Sequence, residues 1–592
     1  MNFFKIFLGS CLGVLAGLLL LIIIGVMIVA GIASSAQDGK KALDKTSFLE
    51  IRSDRIYPEK TDNVETRGFS LKNDNVIGLH DMVAAINHAA EDPKIKGIVF
   101  RSMYSMLNPA SASTLHHTLL EFKKSGKPVY AYADVFSEGS YYIASAADKI
   151  MLNPNGSIEI KGYGAMIPYF KEMLDKIGVK FDIYYAGQYK SATEPFRMDH
   201  MSDQNRMQTR EYLNDLYTSH IDDIAQARKI TSDELRKISN EYLIRNSADA
   251  IKYKLADTLG YLEDLYRLLS TDLGTPLKDK PTVVTINRYF STPGIKPFVS
   301  SSNDKLGIVY AEGEIVDGEG NYGQIGSAKY SRILRKLRFD DKVKAVVLRV
   351  NSPGGSSLAS DNILHEIDLL KSAGKPVVVS MGDYAASGGY YIACHADSIF
   401  AQPNTITGSI GVFLMVPNVS DLLDKKVGIN IDTVNIGKFS TSFSPLLPWS
   451  SEEGIIAQMQ TDRTYDRFLT VVSDGRNKTK DQIHQIAQGR VWSGLRARSN
   501  GLVDNLGNLE DAIACAVRLG KLDKYKTIEY PTVKEPIQKM IETFTNMEDN
   551  GEEVMLKKVF KSWYPTVSYL KNIDQEYYKP LMRMPLQLNN FK

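Results

Sequence analysis

Three cysteines in 592 residues, at Cys11, Cys394 and Cys515, are too few and too scattered for a disulfide framework or a metal-ligand spacing. No metal and no cofactor is expected. Excess charge is lacking too: 71 Lys and Arg stand against 69 Asp and Glu, which argues against a nucleic-acid-binding surface. The nine histidines (His80, His88, His116, His117, His200, His220, His365, His395 and His484) include none in a small-residue turn, so the commonest general base has no evident seat. His395 reads as a packing residue and His365 as lying on the solvated side of a helix. The pairs Glu452-Glu453 and Glu552-Glu553 read as solvated charges rather than a catalytic dyad.

Charge is also missing between Lys5 and Asp38, and Phe7 to Ile32 is apolar or small throughout. That length spans a bilayer, for which about 20 residues suffice. A cleaved signal peptide is the rival, with Ala33-Ser-Ser-Ala36 as its cleavage site. Secretory apolar cores run only about 7–15 residues, which favours a retained anchor over residues 1–33. The short N-terminal flank with Lys5 puts the amine inside and the body outside.

The body repeats itself at a spacing of about 250 residues. Asp92-Pro-Lys-Ile-Lys-Gly-Ile-Val-Phe-Arg101 answers Asp340-Asp-Lys-Val-Lys-Ala-Val-Val-Leu-Arg349. Gly139-Ser-Tyr-Tyr-Ile-Ala144 answers Gly388-Gly-Tyr-Tyr-Ile-Ala393, and Ala186-Gly-Gln-Tyr-Lys190 answers Ile436-Gly-Lys-Phe-Ser440. So long a period marks a duplicated domain rather than a solenoid, whose repeats run about 20–50 residues. Within each half, short apolar runs alternate with helical spacings. Gly307–Tyr310, Ala345–Val350 and Pro376–Ser380 read as strands, Ala359–Ser372 as a helix, and Tyr390–Ala396 as a buried helix. Strand–helix–strand order implies parallel pairing and an α/β fold in each half. The divisions expected are 1–33, 46–295, 300–530 and a tail, 531–592, in which the repeat is lost.

The halves differ where chemistry is expected. The second has Asn351-Ser-Pro-Gly-Gly-Ser356 after a strand; the first has Ser102-Met-Tyr-Ser-Met-Leu107. Paired glycines let backbone N–H groups turn toward a ligand. Ser387 stands at a turn between small residues and faces Glu138 of the first half. The asymmetry then reverses, because Lys190 faces Ser440. Lys190 lies among small, weakly charged residues, a setting that suits a desolvated lysine with a depressed pKa. Ser387 as nucleophile, Lys190 as base, and N–H groups of Gly388 and of Gly354-Gly355 around an oxyanion make an acyl-transfer constellation. Ile410, Val412, Phe413, Leu414 and Met415 are either the lining of an apolar cleft or plain core.

These motifs, with Tyr189-Lys-Ser-Ala-Thr-Glu-Pro-Phe196 and the N-terminal anchor, resemble signal peptide peptidase A of the long, duplicated type. The resemblance spans about residues 46 to 530 plus the anchor. It implies tandem Clp/crotonase-like α/β domains behind a transmembrane helix. It implies a membrane-bound serine endopeptidase with a Ser-Lys dyad that degrades cleaved signal peptides. By position, Ser387 matches the nucleophile, Lys190 the general base, Ser409 the serine that orients the lysine, and Gly355 and Gly388 the oxyanion donors. It further implies a homotetrameric ring on the outer, periplasmic face of the bacterial cytoplasmic membrane, with peptides rather than nucleic acid as partners. A crotonase-type acyl-CoA enzyme and a catalytically inactive membrane scaffold are the competing readings.

Overall fold

β-Branched runs become the middle strands of parallel sheets. Val346-Val-Leu348 and Val377-Val-Val379 are fully buried, as strands covered by helices on both faces must be. The computed structural model describes residues 43–63, 76–276, 281–292, 302–532 and 581–583, with four isolated positions before residue 24. The expected anchor and most of the tail lie outside the described residues. Among the described residues no helix is long and apolar enough to cross a membrane.

The first half supplies β1 (Ser47–Ile51), β2 (Ile95–Arg101), β3 (Val129–Phe136), β4 (Lys149–Ile158), β5 (Lys180–Ala186), β6 (Thr258–Leu259) and β7 (Val283–Thr285). Six of these form a parallel sheet ordered β6-β4-β3-β2-β1-β7. The second half supplies β8 (Lys305–Glu312), β9 (Glu314–Val316), β10 (Gln324–Gly326), β11 (Val343–Ser352), β12 (Gly354–Ser356) and β13 (Val377–Ala386). It continues with β14 (Ser398–Ala401), β15 (Ile406–Gly408), β16 (Val412–Asn418), β17 (Val491–Ser493), β18 (Asn505–Leu506) and β19 (Lys526–Tyr530). Its main sheet repeats the parallel plan around β13, β11 and β8.

A third sheet belongs to both halves. Its order is β10-β9-β12-β20-β16-β5, where β20 is Leu581–Arg583. At its end β5 of the first half runs antiparallel to β16 of the second, from Ala186 opposite Val412 to Lys180 opposite Asn418. The duplication predicts the same pairing a second time, and the chain does not make it. The counterpart of β16 in the first half, around Met166-Ile-Pro168, is not a strand, and Met166 is 98% exposed. The counterpart of β5, around Ile429–Ile436, is also unpaired, with Val434 and Ile436 fully in solvent.

Two sequence expectations need correction. The strand before the serine turn is longer than Pro376–Ser380, because β13 runs through Ala386, and Met381-Gly-Asp-Tyr-Ala-Ala386 is buried along its whole length. The helix expected over Tyr390–Ala396 is only Gly388–Tyr391. The chain beyond it turns to enter β14, so His395 is not on that helix; it bonds Asp368 and the carbonyl of Val471.

The halves are locked by buried charge. The Glu59 carboxylate accepts from Arg349 Nε and Nη2 at 2.9 and 3.1 Å and from Asn351 Nδ2 at 2.9 Å. Arg349 continues to Ser380 Oγ and the Met381 carbonyl. Glu312 accepts from the Glu59 N–H, and burial together with the charge of Glu59 pushes its carboxyl up to about 7. Removing one partner of such a pair strands the other without water. Glu59→Ala is expected to destabilise the protein by about 3–5 kcal/mol, read as a lowered unfolding midpoint. A shift within error would show that the clasp contributes nothing net.

Candidate active site

Ser387 follows β13 directly, at φ +56° and ψ −117°, a conformation that non-glycine residues rarely adopt. Such strain costs on the order of 1–3 kcal/mol and is retained where the surroundings fix it. Its N–H donates to the Gly408 carbonyl at 2.8 Å, which ties the turn to β15. The Ser387 N–H is therefore spent. The N–H of Gly388, first residue of the next helix, has no partner within that helix.

The glycine loop faces the same space. Gly354 and Gly355 have φ of +103° and +155°, so side chains there would be strained. The Gly354 N–H donates to Ser352 Oγ at 3.2 Å. A Cβ on Gly388 would sit 3.2 Å from the Gly355 nitrogen, so these two backbone amides lie close together beside the serine.

Lys190 arrives from the other half. β5 ends at Ala186, and Gly187 at φ +113° turns the chain so closely past Gln488 that a Cβ would lie 2.4 Å from its carbonyl carbon. Lys190 Nζ then lies 2.9 Å from Ser387 Oγ and donates to the Oγ and carbonyl of Ser409, each at 3.1 Å. Ser387, Ser409 and Lys190 are all buried. Burial alone holds the Lys190 ammonium well below the usual lysine range. Ser409 is itself held at φ +49°, with its N–H donating to the Arg490 carbonyl.

All five expected site residues therefore converge on one place, and Ser440 does not. It lies exposed in a turn with Gly437. The residues that clamp the lysine loop were not legible. Gln208 Nε2 donates to the Tyr189 carbonyl and to Ser191 Oγ, while its Oε1 accepts from the Val491 N–H. Gly489 packs against Lys190, where a Cβ would meet the lysine Cβ at 2.6 Å. A glutamine in a long helix carries no signal of such a role; the Gln-Gly pair at 488–489 was the one available hint. The apolar run at 410–415 divides by strand alternation. Leu414 packs with Val416 and Ala457, whereas Phe413 and Met415 turn to Phe181 and Phe196.

Comparison with known proteins bears on this geometry. The model of peptidase family S49 matches twice, over residues 121–275 and 369–523. The chain belongs to peptidase family S49. It is a serine peptidase with two copies of the S49 domain in one α/β chain. It is 37% identical over 512 residues to Protease 4 of Haemophilus influenzae, covering 83% of each chain. Protease 4 of Salmonella typhi is 37% identical over 77% of this chain and 74% of its own. The chloroplastic serine protease SPPA of Arabidopsis thaliana is 29% identical over 76% and 66%. The S49 matches begin in both halves before the strand that leads to the turn, and at the position of Ser387 the first half has Glu138.

Gly355→Ala is a direct test of the loop. The added Cβ would meet the Ile315 carbonyl oxygen at 2.0 Å, which displaces the amide. Loss of one oxyanion donor costs about 10²–10³ in kcat. A variant that cleaves peptides at the parent rate would exclude this amide from the reaction.

Proposed function

We propose that this S49 peptidase is a membrane-anchored endopeptidase with a Ser387–Lys190 dyad that degrades apolar peptides, cleaved signal peptides among them. The observation that carries the reading is Lys190 Nζ at 2.9 Å from Ser387 Oγ, with the lysine buried and without a carboxylate partner. A neutral amine at that distance accepts the hydroxyl proton as Oγ attacks a peptide carbonyl. Ser409 keeps the amine oriented. The N–H groups of Gly388 and Gly355 receive the oxyanion, and each such donor is worth about 2.7–4 kcal/mol. The lysine returns the proton to the leaving amine, then activates water to release the acyl group.

The substrate class rests on the sequence and on relatives. Apolar β16 lies beside the serine. A relative from Enterococcus faecium, 38% identical over 39% of this chain, bears the name putative signal peptide peptidase SppA. The uncharged run from Phe7 to Ile32 supports an anchor in the bacterial cytoplasmic membrane with the body outside. The unpaired edges around Met166 and Ile429–Ile436 support a ring of identical chains. Each would complete in its neighbour the β5–β16 pairing, a head-to-tail contact that closes, in this reading, at four copies.

Ser387→Ala and Lys190→Ala are each expected to abolish peptide hydrolysis, with the double variant no worse than either. Ser440→Ala should leave the rate intact. Lys190→Arg should also be inactive, because a guanidinium does not deprotonate. Because burial lowers the lysine pKa, the neutral base is present above that value and lost below it. Turnover should rise with pH and level off before pH 10.5, the usual lysine value. A flat profile, or activity in Lys190→Arg, would remove lysine as base.

Val434→Asp with Ile436→Asp should reduce the assembly to single chains by light scattering. An unchanged mass would show that the exposed edge is not the contact.

A further inference from the structure

The strand that leads to the nucleophile carries a bulge, and one side chain fills it. Val350 of β11 pairs with Met381 of β13, but Ser352 pairs with Ala385, so Gly382, Asp383 and Tyr384 stand opposite Asn351 alone. A bulge leaves ladder groups unpaired and re-aims the strand beyond it. Here the strand beyond it leads straight to Ser387. Asn351 Oδ1 accepts from the Tyr384 N–H at 3.0 Å, in place of a ladder bond. Its Nδ2 donates to Glu59 Oε1 at 2.9 Å, and its carbonyl accepts from the Gly313 N–H at 2.9 Å. Gly382 lets these groups meet, since a Cβ there would lie 2.6 Å from Glu59 Oε1 and 2.9 Å from the Asn351 Cβ. Asn351 is thus held by β13, by the turn between β8 and β9, and by the first half of the chain. Gly355 comes four residues after it, and Ser387 comes three residues after Tyr384.

We propose that Asn351 is a positioning residue: its amide, oriented by Glu59, fixes the glycine loop against the nucleophile turn, so the first half sets the geometry of the site as well as supplying its base. The inference rests on the proposed Ser387–Lys190 peptidase; the bulge and its three bonds are independent of that reading. A side-chain amide suits this place because it donates on one side and accepts on the other. The Glu59 carboxylate takes the NH2 side and the Tyr384 N–H takes the oxygen, so the amide has one orientation. Asp383 steadies the same bulge from the first half, its carboxylate accepting from the N–H and Oγ of Ser111 at 2.9 and 2.6 Å. Without the Asn351 amide the bulge loses its tie to β11, and Gly355 and Ser387 are free to shift against each other. A misplacement of about 1 Å can cost about 10²-fold in rate.

Hydrolysis of an apolar fluorogenic peptide and fluorophosphonate labelling of Ser387 test this on the full chain, below the unfolding midpoint of each variant. Asn351→Asp keeps the acceptor for Tyr384 and sets a carboxylate against Glu59. At neutral pH its kcat should fall by about 10- to 100-fold with KM within about 2-fold. Two carboxylates at hydrogen-bond distance share one proton, which raises the pKa of the pair. Glu312 and Asp383 reinforce that rise, and Arg349 opposes it. The shared proton restores the bond; it is held below the raised pKa and lost above it. The ratio of variant to parent kcat should therefore climb as pH falls. Asn351→Asp combined with Glu59→Gln exchanges donor and acceptor, and should recover most of the kcat with a ratio that no longer depends on pH. An unchanged kcat in Asn351→Asp, a loss confined to KM, or a low ratio at every pH without recovery in the double variant would overturn the role of Asn351 and leave the peptidase reading standing. A parent that neither hydrolyses peptide nor takes the label would overturn both. Where Asn351→Asp alone does not fold, the double variant decides: recovered kcat supports the role, and a folded protein with little activity overturns it.

Discussion

The antiparallel register of β5 on β16 is the constraint on which the active site depends. Ala186 opposite Val412 fixes where the first half ends, and Lys190 follows four residues later. Ser409 lies just before Val412 on the partner strand. Lys190 and Ser409, which accepts from it, thus leave the same end of one strand pair. A slip of one residue would shift the lysine by about 3.3 Å and turn Phe413 and Met415 to the opposite face. Because those side chains are buried against Phe181 and Phe196, the slip is strongly disfavoured. Packing far from the serine therefore sets the distance between Lys190 and Ser387.

The same placement determines the chemistry. An ammonium removed from water loses solvation worth several kcal/mol unless a counter-charge replaces it. Lys190 receives two hydroxyls and one carbonyl, which orient an amine without holding it charged. A carboxylate there would have made a salt bridge and no base. The protein does bury an ion pair, Glu59 with Arg349, but at the seam between the halves rather than beside Lys190. The strained backbone at Ser387 and Ser409 is fixed by bonds to Gly408 and Arg490, each from neighbouring strand ends.

Much of this was legible because the chain carries its own comparison. Ser387 against Glu138, and Lys190 against Ser440, isolate the two residues that the structure brings within hydrogen-bond distance. Strand cores such as Val377–Val379 follow from composition. What stayed hidden lacks a local signature. The extension of β13 through Ser380–Ala386 contradicts strand propensity, and tertiary packing imposes it. Gln208, Glu59 and Met582 act across long sequence separations, and no pattern near any of them says with what.

Duplication also explains what became of the site that the first half gave up. At the turn equivalent to Ser387, Glu138 accepts from the Gly162 N–H at 3.1 Å, and burial raises its carboxyl. Gly162 opens the segment that corresponds to β16, which has no partner strand among the described residues. Glu138, at the position of Ser387, therefore anchors the root of that segment. Each half contributes one part of the site: the second provides Ser387 and the strand that receives the lysine loop, and the first provides Lys190. Within one chain the Ser387–Lys190 contact is complete, and the two edges stay unpaired among the described residues.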